Sequence, residues 1–224
     1  MKRYNLKRIG IFTLLLGSLV GTAAAEAPQE GEGWRLLFDG ETLNGWEFRG
    51  KEGDNAPTFD AEDGAIVGRT RMPSNPTAFL ATTEQFKDFE LIFECKVDKD
   101  LNSGVQLRST PKGTMIGAQV EIQNGLNKTG YIFGQGLRTW LSKDIPKSAT
   151  LLKANEWNHF RVVAKGKNIK TWLNGQPLAD ATHDKIELEG VIALQLHGYP
   201  RIKGTEAKEI LSSSWRNIKI RKID

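Results

Sequence analysis

The chain has 224 residues, of which 26% are charged, and a formal net charge of +4. Four basic residues and no acidic residue lie in residues 1–25, so the rest of the chain carries 27 charges of each sign, which argues against a nucleic-acid or anionic-membrane partner. A single cysteine excludes an intrachain disulfide, so the fold must depend on its hydrophobic core.

The N-terminus has the pattern of a secretory signal peptide. Basic residues precede an apolar run, and a small-residue stretch then gives a cleavage pattern after Ala25. The apolar run is too short to predict a membrane span. We therefore expect residues 1–25 to be removed, the protein to be secreted or periplasmic, and the mature chain to have no membrane segment. Residues 26–33 predict a flexible lead-in, and residues 34–224 suit a single domain.

The remainder of the chain reads as a succession of short strands separated by turn residues. No alternating helices and no repeat of the period typical of solenoids or propellers accompany them. This pattern predicts an all-β fold in which two antiparallel sheets form a sandwich. Asn174-Gly175 is the clearest hairpin signal, because a type I′ turn needs two residues that tolerate positive φ. Cys95 alternates with apolar residues of its strand and is predicted to be a buried, unreactive thiol.

Three predicted strands carry polar side chains at alternating positions, with apolar side chains between them. If these strands share a sheet, their polar sides converge on one face that offers a cation, a carboxylate, an imidazole and several amides. Each polar residue taken alone could simply face solvent, but the set as a whole suits the hydroxyl groups of a sugar. The residues are Gln106 and Arg108; Gln119, Glu121 and Gln123; and Gln195 and His197.

Two longer segments, residues 70–77 and 124–150, are predicted loops. The second exceeds an ordinary connection in length and carries Trp140, so we predict that it forms a functional rim. Trp140 could stack on a sugar ring or only fix the loop by packing. His197, at the end of its strand, fits either an acid–base residue or a structural histidine.

The sequence gives little support for a metal or another cofactor. The histidines lack the spacing of a zinc site. The segment "DKDLNSG" begins like a calcium loop with Asp98, Asp100 and Asn102, but Gly104 comes one place late and the twelfth position is Ser109. We expect no cofactor and keep a calcium ion near Asp98, Asp100 and Asn102 only as an alternative.

Five segments follow one another along the chain: "WRLLFDGETLNGWEF", "FELIFECKVDKDLNSGVQLRS", "EWNHFRVVAKGKNIKTWLNGQPL", "GVIALQLHG" and "WRNIKIRKID". Together they resemble the domain of unknown function 1080, now called the 3-keto-disaccharide hydrolase domain, over residues 34–224. The resemblance implies a jelly roll of the concanavalin A-like lectin/glucanase type, in agreement with the predicted sandwich. It also implies an exported bacterial protein that acts on glycosides oxidised at carbon 3 of the sugar.

The resemblance further implies which residues line the concave face of the jelly roll. The family's "NSG" segment, the Arg that follows it, its polar central strand and its strand ending in "HG" match positions of this chain. Ala118 stands where an aromatic residue often occurs in the family, which leaves contacts to the sugar ring open. The implied lining residues are Asn102, Ser103, Gly104, Arg108, Gln119, Glu121 and His197.

The chemistry of such a substrate assigns roles to these side chains. A ketone at C3 makes the C2 proton acidic, so a base can remove it, the glycosidic oxygen leaves C1 by elimination, and water adds back. We predict Glu121 as the base, Arg108 as the group that stabilises the enolate, and His197 as the acid, or base and acid reversed. The predicted substrate-binding residues are Asn102, Ser103, Gln106, Gln119, Gln195, Trp140 and Glu94.

Two other functions are compatible with the sequence. A lectin-like module would bind carbohydrate without catalysis, because this fold serves both purposes. A conventional glycoside hydrolase would need two carboxylates about 5 to 9.5 Å apart across the bond, and Glu94 is the evident partner for Glu121. The expected partner of all three is a carbohydrate, whereas a large exposed apolar patch would instead favour an interaction or structural role.

Overall fold

The computed structural model describes residues 33–53, 56–71, 77–123, 128–142, 150–198 and 210–224. The predicted signal peptide, nearly all of the lead-in, residues 72–76 of the first predicted loop and residues 124–127 and 143–149 of the second lie outside these ranges. Within the ranges, helices long and apolar enough to cross a membrane are absent. The described residues form fifteen strands: β1 Arg35–Leu36, β2 Trp46–Arg49, β3 Thr58–Glu62, β4 Ala65–Arg71, β5 Ala78–Phe86, β6 Phe89–Val97, β7 Asn102–Ser109, β8 Gly117–Gln123, β9 Ile132–Gln135, β10 Thr139–Trp140, β11 Asn158–Lys165, β12 Asn168–Leu173, β13 Gln176–Thr182, β14 Gly190–Leu196 and β15 Ile210–Lys222.

These strands form two antiparallel sheets. Sheet A has the order β13-β12-β11-β6-β15-β4-β3, with β1 also paired to β15. Sheet B has the order β10-β9-β8-β7-β14-β5-β2. The prediction of an all-β, two-sheet antiparallel sandwich is therefore confirmed. Asn174 and Gly175 have φ angles of 49° and 80° between β12 and β13, as the predicted type I′ hairpin requires.

The hydrophobic core lies between the two sheets and follows from the alternation of side chains along each strand. Phe93 of β6 stacks on Phe160 of β11, with ring centroids 5.0 Å apart. Cys95 lies on the same side of β6 and is fully buried, so burial raises the pKa of its thiol to about 12. The prediction of a buried thiol is confirmed, and a raised pKa agrees with the expected low reactivity.

The predicted loop 124–150 contains two short strands, which is a correction to the sequence analysis. Strands β9 and β10 extend sheet B beyond β8, and β9 pairs with β8 through Gln119 and Phe133 among others. Glycines at 134 and 136 interrupt the strand pattern in the sequence, and they conceal the alternation of Phe133 and Gln135. The additional strands widen the outward face of sheet B.

Arg108 lies at a β-bulge and does not follow the alternation of its strand. Gln106 pairs with Ala193 and Ser109 pairs with Val191, so two residues of β7 oppose one residue of β14. The φ angle of Arg108 is 49°, in the left-handed region. The bulge turns the Arg108 side chain away from the face on which Gln106 lies.

The buried guanidinium of Arg108 joins three connections at one end of the sandwich. Its nitrogens donate to the carbonyl oxygens of Lys87, Gly166 and Glu187 and to Oδ1 of Asp88, the last at 2.8 Å. The predicted placement of Arg108 on the polar face, as an enolate stabiliser, is wrong because of the bulge. Arg108 is a structural residue of the fold.

We expect Arg108→Met to lower the free energy of unfolding by about 3–5 kcal/mol, because three backbone carbonyl groups and the half-buried carboxylate of Asp88 lose the guanidinium that donates to them. Chemical denaturation measures this difference. Arg35→Met is the control, since the ion pair of Arg35 with Glu84 is solvent-exposed and should contribute at most about 1 kcal/mol. Equal effects of the two substitutions would contradict the structural role of Arg108.

Candidate functional site

Polar side chains of sheet B converge on an open cleft of about 270 Å³ on the outward face of that sheet. They alternate along β7, β8, β9 and β14 with residues of the hydrophobic core, so the same pattern that builds the core also builds the cleft. The volume is sufficient for a sugar ring. The lining residues of this polar cleft are Asn102, Gln119, Glu121, Gln123, Phe133, Gln135, Trp140, Gln195 and His197.

Glu121 is the central group of the polar cleft. Its side chain is buried, with Oε1 accepting from the Asn102 amide and Oε2 accepting from Gln119 Nε2 at 2.8 Å. Burial raises the pKa of Glu121 from its ordinary value of 4.5 to about 7, and the two amides and the charge of Lys128 oppose this rise only in part. Both protonation states of Glu121 are therefore populated near neutral pH, as an acid–base group requires.

A chain of glutamine amides fixes the floor of the cleft. Gln195 Nε2 donates to Gln119 Oε1 at 2.8 Å and to Gln135 Oε1 at 3.3 Å. Gln106 is fully buried below them and donates to the same oxygen of Gln119. Gln106 was predicted to bind substrate, but it does not line the cleft and instead orients Gln119. The network leaves Glu121 with partners that cannot move freely.

Gly104 of the "NSG" segment leaves the space that this network needs. A Cβ atom at Gly104 would lie 2.6 Å from Gln119 Nε2. Gly104 pairs with Glu121 across β7 and β8, so the Gln119 amide crosses the strand where there is no side chain. The glycine is thus required for the hydrogen bond between Gln119 and Glu121.

His197 lies at the rim of the cleft, directly after β14. Its backbone N–H donates to the carbonyl oxygen of Asn102 at 3.2 Å, which holds it close to the residue that binds Glu121. Nδ1 of the ring lies 2.9 Å from the carbonyl oxygen of Gly198. Because a carbonyl oxygen only accepts, Nδ1 carries a proton, and Nε2 is the nitrogen that can give or take one.

Aromatic rings form one wall of the cleft. The Trp140 ring meets Phe133 edge to face, with centroids 5.1 Å apart, and Tyr131 lies behind at 6.2 Å. The ammonium of Lys128 lies 4.5 Å from the centroid of Trp140. The structure thus brings Trp140 to the cleft, where stacking of the ring on a sugar stays a prediction.

Two residues predicted to bind substrate lie elsewhere. Ser103 faces the core, where its Oγ donates to the Gln195 carbonyl at 2.8 Å and lies 3.2 Å from Ser213 Oγ of sheet A, whose hydroxyl can donate to it. Glu94 belongs to β6 of sheet A and binds Arg216 on the outer face of that sheet. Both predictions are wrong: Ser103 lies on the apolar side of its strand, and Glu94 is in the other sheet. Glu94 and Glu121 therefore do not form a pair of carboxylates across one cleft.

The residues considered as calcium ligands have separate partners. Oδ2 of Asp98 accepts from the backbone N–H of Ser212 at 2.9 Å, whereas the Asn102 amide donates to Glu121 and Gln123. Asp100 is exposed. In the part of the chain that the structure describes, no group of three or more His, Cys, Asp or Glu side chains could hold a metal ion.

Three residues at or beside the cleft were missed by the sequence analysis: Phe133, Gln135 and Lys128. They lie in the segment that the sequence analysis read as a loop. The alternation of Phe133 and Gln135 was the available signal for the first two. Lys128 is the first residue of a turn, and no pattern in the sequence connects it with Trp140.

The chain matches the family described as the 3-keto-alpha-glucoside-1,2-lyase-like domain over residues 33–221. A protein of Bacteroides thetaiotaomicron named 3-keto-disaccharide hydrolase is 36% identical over 85 residues. That match covers 36% of this chain and 29% of the relative, so the chain spans under a third of the length of that relative.

Solved structures resemble the sandwich as a whole. The structure of a predicted glycosyl hydrolase from Parabacteroides distasonis has a TM-score of 0.63 at 20% identity, covering 86% of this chain and 95% of the other. The laminarinase catalytic domain of Thermotoga maritima has a TM-score of 0.57 at 14% identity, covering 86% of this chain and all (100%) of the other. These similarities confirm the predicted jelly roll of the lectin/glucanase type.

The raised pKa of Glu121 predicts a pH-dependent stability. A carboxyl group whose pKa is higher in the folded protein than in the unfolded chain increases the free energy of unfolding while it is protonated. This contribution is complete below pH 4.5, the ordinary pKa, and is lost as the pH rises towards about 7, the pKa in the folded protein. Because a tenfold change in proton affinity corresponds to about 1.4 kcal/mol, the loss is on the order of 3 kcal/mol.

We therefore expect Glu121→Gln to be more stable than the natural protein at pH 8 and close to it at pH 4, since the amide cannot ionise. Denaturant unfolding of both proteins at the two pH values measures this difference. Glu94→Gln, on the outer face of sheet A, is the control. A Glu121→Gln variant with the same pH dependence as the natural protein would contradict the raised pKa.

Proposed function

This chain belongs to the 3-keto-alpha-glucoside-1,2-lyase-like domain family, and from that premise we propose that it cleaves glycosides whose sugar carries a ketone at C3. The reaction begins with removal of the C2 proton and ends, after elimination and addition of water, in net hydrolysis. The Bacteroides relative named 3-keto-disaccharide hydrolase supports this substrate class. We also retain the proposal that the protein acts after export, in the periplasm or outside the cell.

The observation that carries this proposal is a single buried carboxylate with a pKa of about 7 in a polar cleft. Elimination next to a ketone needs one base of this kind at the C2 proton. A conventional glycoside hydrolase needs a second carboxylate across the bond, and among the described residues that line the cleft Glu121 is the only acid. The cleft therefore favours elimination over direct displacement.

In the first half of the reaction, the Glu121 carboxylate takes the C2 proton, and the electron pair of that C–H bond enters an enolate with its charge on the 3-oxygen. The enolate then re-forms the ketone, a C1–C2 double bond forms, and the bond from C1 to the glycosidic oxygen breaks. Nε2 of protonated His197 gives its proton to the departing oxygen. The elimination product is an unsaturated keto sugar and a free alcohol.

In the second half, neutral His197 takes a proton from water as the oxygen of that water bonds to C1. The double bond moves back into an enolate, and protonated Glu121 returns its proton to C2. Both residues regain their starting states, and the products are the free 3-keto sugar and the alcohol. The proposed steps use groups of this chain alone.

The proposed base predicts how activity depends on the two carboxylates considered for catalysis. We expect turnover of a 3-keto-glucoside but not of the unoxidised glucoside, and a loss of about 10²- to 10⁴-fold in kcat for Glu121→Gln. Glu94→Gln should keep natural activity, because Glu94 lies on the other sheet. Sugar release measured by chromatography reports both results.

Activity on the unoxidised glucoside that depends on Glu94 would contradict the proposal and support a conventional hydrolase. Binding of the keto sugar without turnover would contradict it in favour of a lectin-like module.

The role of His197 is tested by the leaving group. We expect His197→Asn to slow cleavage of an alkyl 3-keto-glucoside by about 10²-fold or more, because an alkoxide needs a proton to depart. In a single turnover, which reports bond cleavage before water adds, a nitrophenyl 3-keto-glucoside should release its phenolate at nearly the natural rate, because a phenolate leaves without help. An equal loss with both substrates would contradict a role for His197 as the acid.

A further inference from the structure

The proposed reaction places a negative charge on the 3-oxygen, and a group must stabilise it. Arg108 does not do so, because its guanidinium is held at the end of the sandwich. His197 has another task, the protonation of the leaving oxygen. The following inference rests on the proposed function and identifies the cation that stabilises the charge on the 3-oxygen.

Lys128 belongs to a turn that is bonded to the backbone of Glu121. Gly130 N–H donates to the Glu121 carbonyl at 2.7 Å, and Glu121 N–H donates to the Tyr131 carbonyl at 3.0 Å. The turn is closed by Tyr131 N–H, which donates to the Lys128 carbonyl at 3.0 Å. The backbone of Lys128 is therefore fixed next to the strand of the proposed base.

The Lys128 side chain extends from this turn to the aromatic wall of the cleft. Its Nζ lies 4.5 Å from the centroid of the Trp140 ring, within the range of a cation–π interaction. Trp140 lines the cleft and is itself braced by Phe133. The indole ring thus holds a positive charge at the wall of the cleft that contains Glu121.

The positive charge of Lys128 stabilises the anionic form of Glu121 in the cleft. It lowers the pKa of Glu121, against the larger effect of burial. Among the described residues, Lys128 belongs to none of the ion pairs. A negative charge that develops on a sugar beside Glu121 would be stabilised by the same ammonium.

We propose that Lys128 is the catalytic cation that binds the 3-oxygen of the keto sugar and stabilises the enolate, and that Trp140 is a positioning residue that holds its ammonium. The cation–π contact keeps the ammonium at the cleft wall, and no acidic partner among the described residues weakens its effect on the enolate. Lys128 takes the role for which the sequence suggested Arg108.

The experiment compares Lys128→Met with Lys128→Arg and with the control Lys112→Met, an exposed lysine in the turn between β7 and β8. Loss of one group that stabilises a developing oxyanion lowers kcat by about 10²- to 10³-fold, so we expect this loss for Lys128→Met on a 3-keto-glucoside with little change in KM. Lys128→Arg should keep most of the activity, and Lys112→Met all of it.

The pH profile separates a catalytic from a merely structural role. Removal of the Lys128 charge raises the pKa of Glu121, so the acidic limb of kcat/KM should move to higher pH in Lys128→Met and stay in place in Lys112→Met. A Lys128→Ala variant should regain part of its activity with added ethylammonium. Rescue by ethylammonium is informative even if the substitution lowers the free energy of unfolding. Denaturant unfolding measures that change separately.

Each result decides between the alternatives. Natural kcat in Lys128→Met, or a loss of kcat with an unmoved acidic limb and no rescue by ethylammonium, would overturn the inference while the proposed function stands. A natural protein that turns over no 3-keto-glycoside would overturn the proposed function and the inference with it.

Discussion

The free-energy cost of burying the Glu121 carboxylate on the outward face of sheet B determines the proton affinity of this site. Glu121 is 6% exposed, and its two hydrogen-bond partners are neutral amides. Such amides replace only part of the stabilisation that water gives to a carboxylate, so the proton is held more tightly and the pKa of Glu121 rises to about 7. The ability to take and return a proton at neutral pH, on which the proposed reaction depends, is a direct result of this burial.

The sandwich supports the site by fixing everything around that carboxylate. Gln119 reaches Glu121 only because Gly104 has no side chain, and Gln195 in turn holds Gln119. Below them, Ser103 bonds to Ser213 across the core and so ties sheet B to sheet A. The buried amides are therefore part of the fold, whereas His197, Trp140 and the turn with Lys128 lie around the opening of the cleft. A rigid floor suits a site that must hold one proton-transfer group in place.

Much of this arrangement follows from alternation along the strands. Because side chains alternate with a period of two residues, Glu121 and Gln195 lie on the side of sheet B that faces away from the core. The same alternation predicts both the sandwich and the polar face. Alternation fails at Arg108, because a bulge inserts one residue and the sequence does not show it. Alternation along one strand also does not show which sheet that strand joins, and for this reason Glu94 was assigned to the wrong face. Gln135 was missed because glycines conceal a short strand.

The protonation of Glu121 is the central claim, and a titration of its carboxyl carbon by NMR in the natural protein without substrate tests it most directly. Glu121→Gln identifies the signal, since that variant lacks it. We predict a midpoint near pH 7, in agreement with the pKa of about 7 that burial produces. A midpoint near the ordinary value of 4.5 would show that water reaches the carboxylate freely, and it would contradict Glu121 as a base tuned to neutral pH.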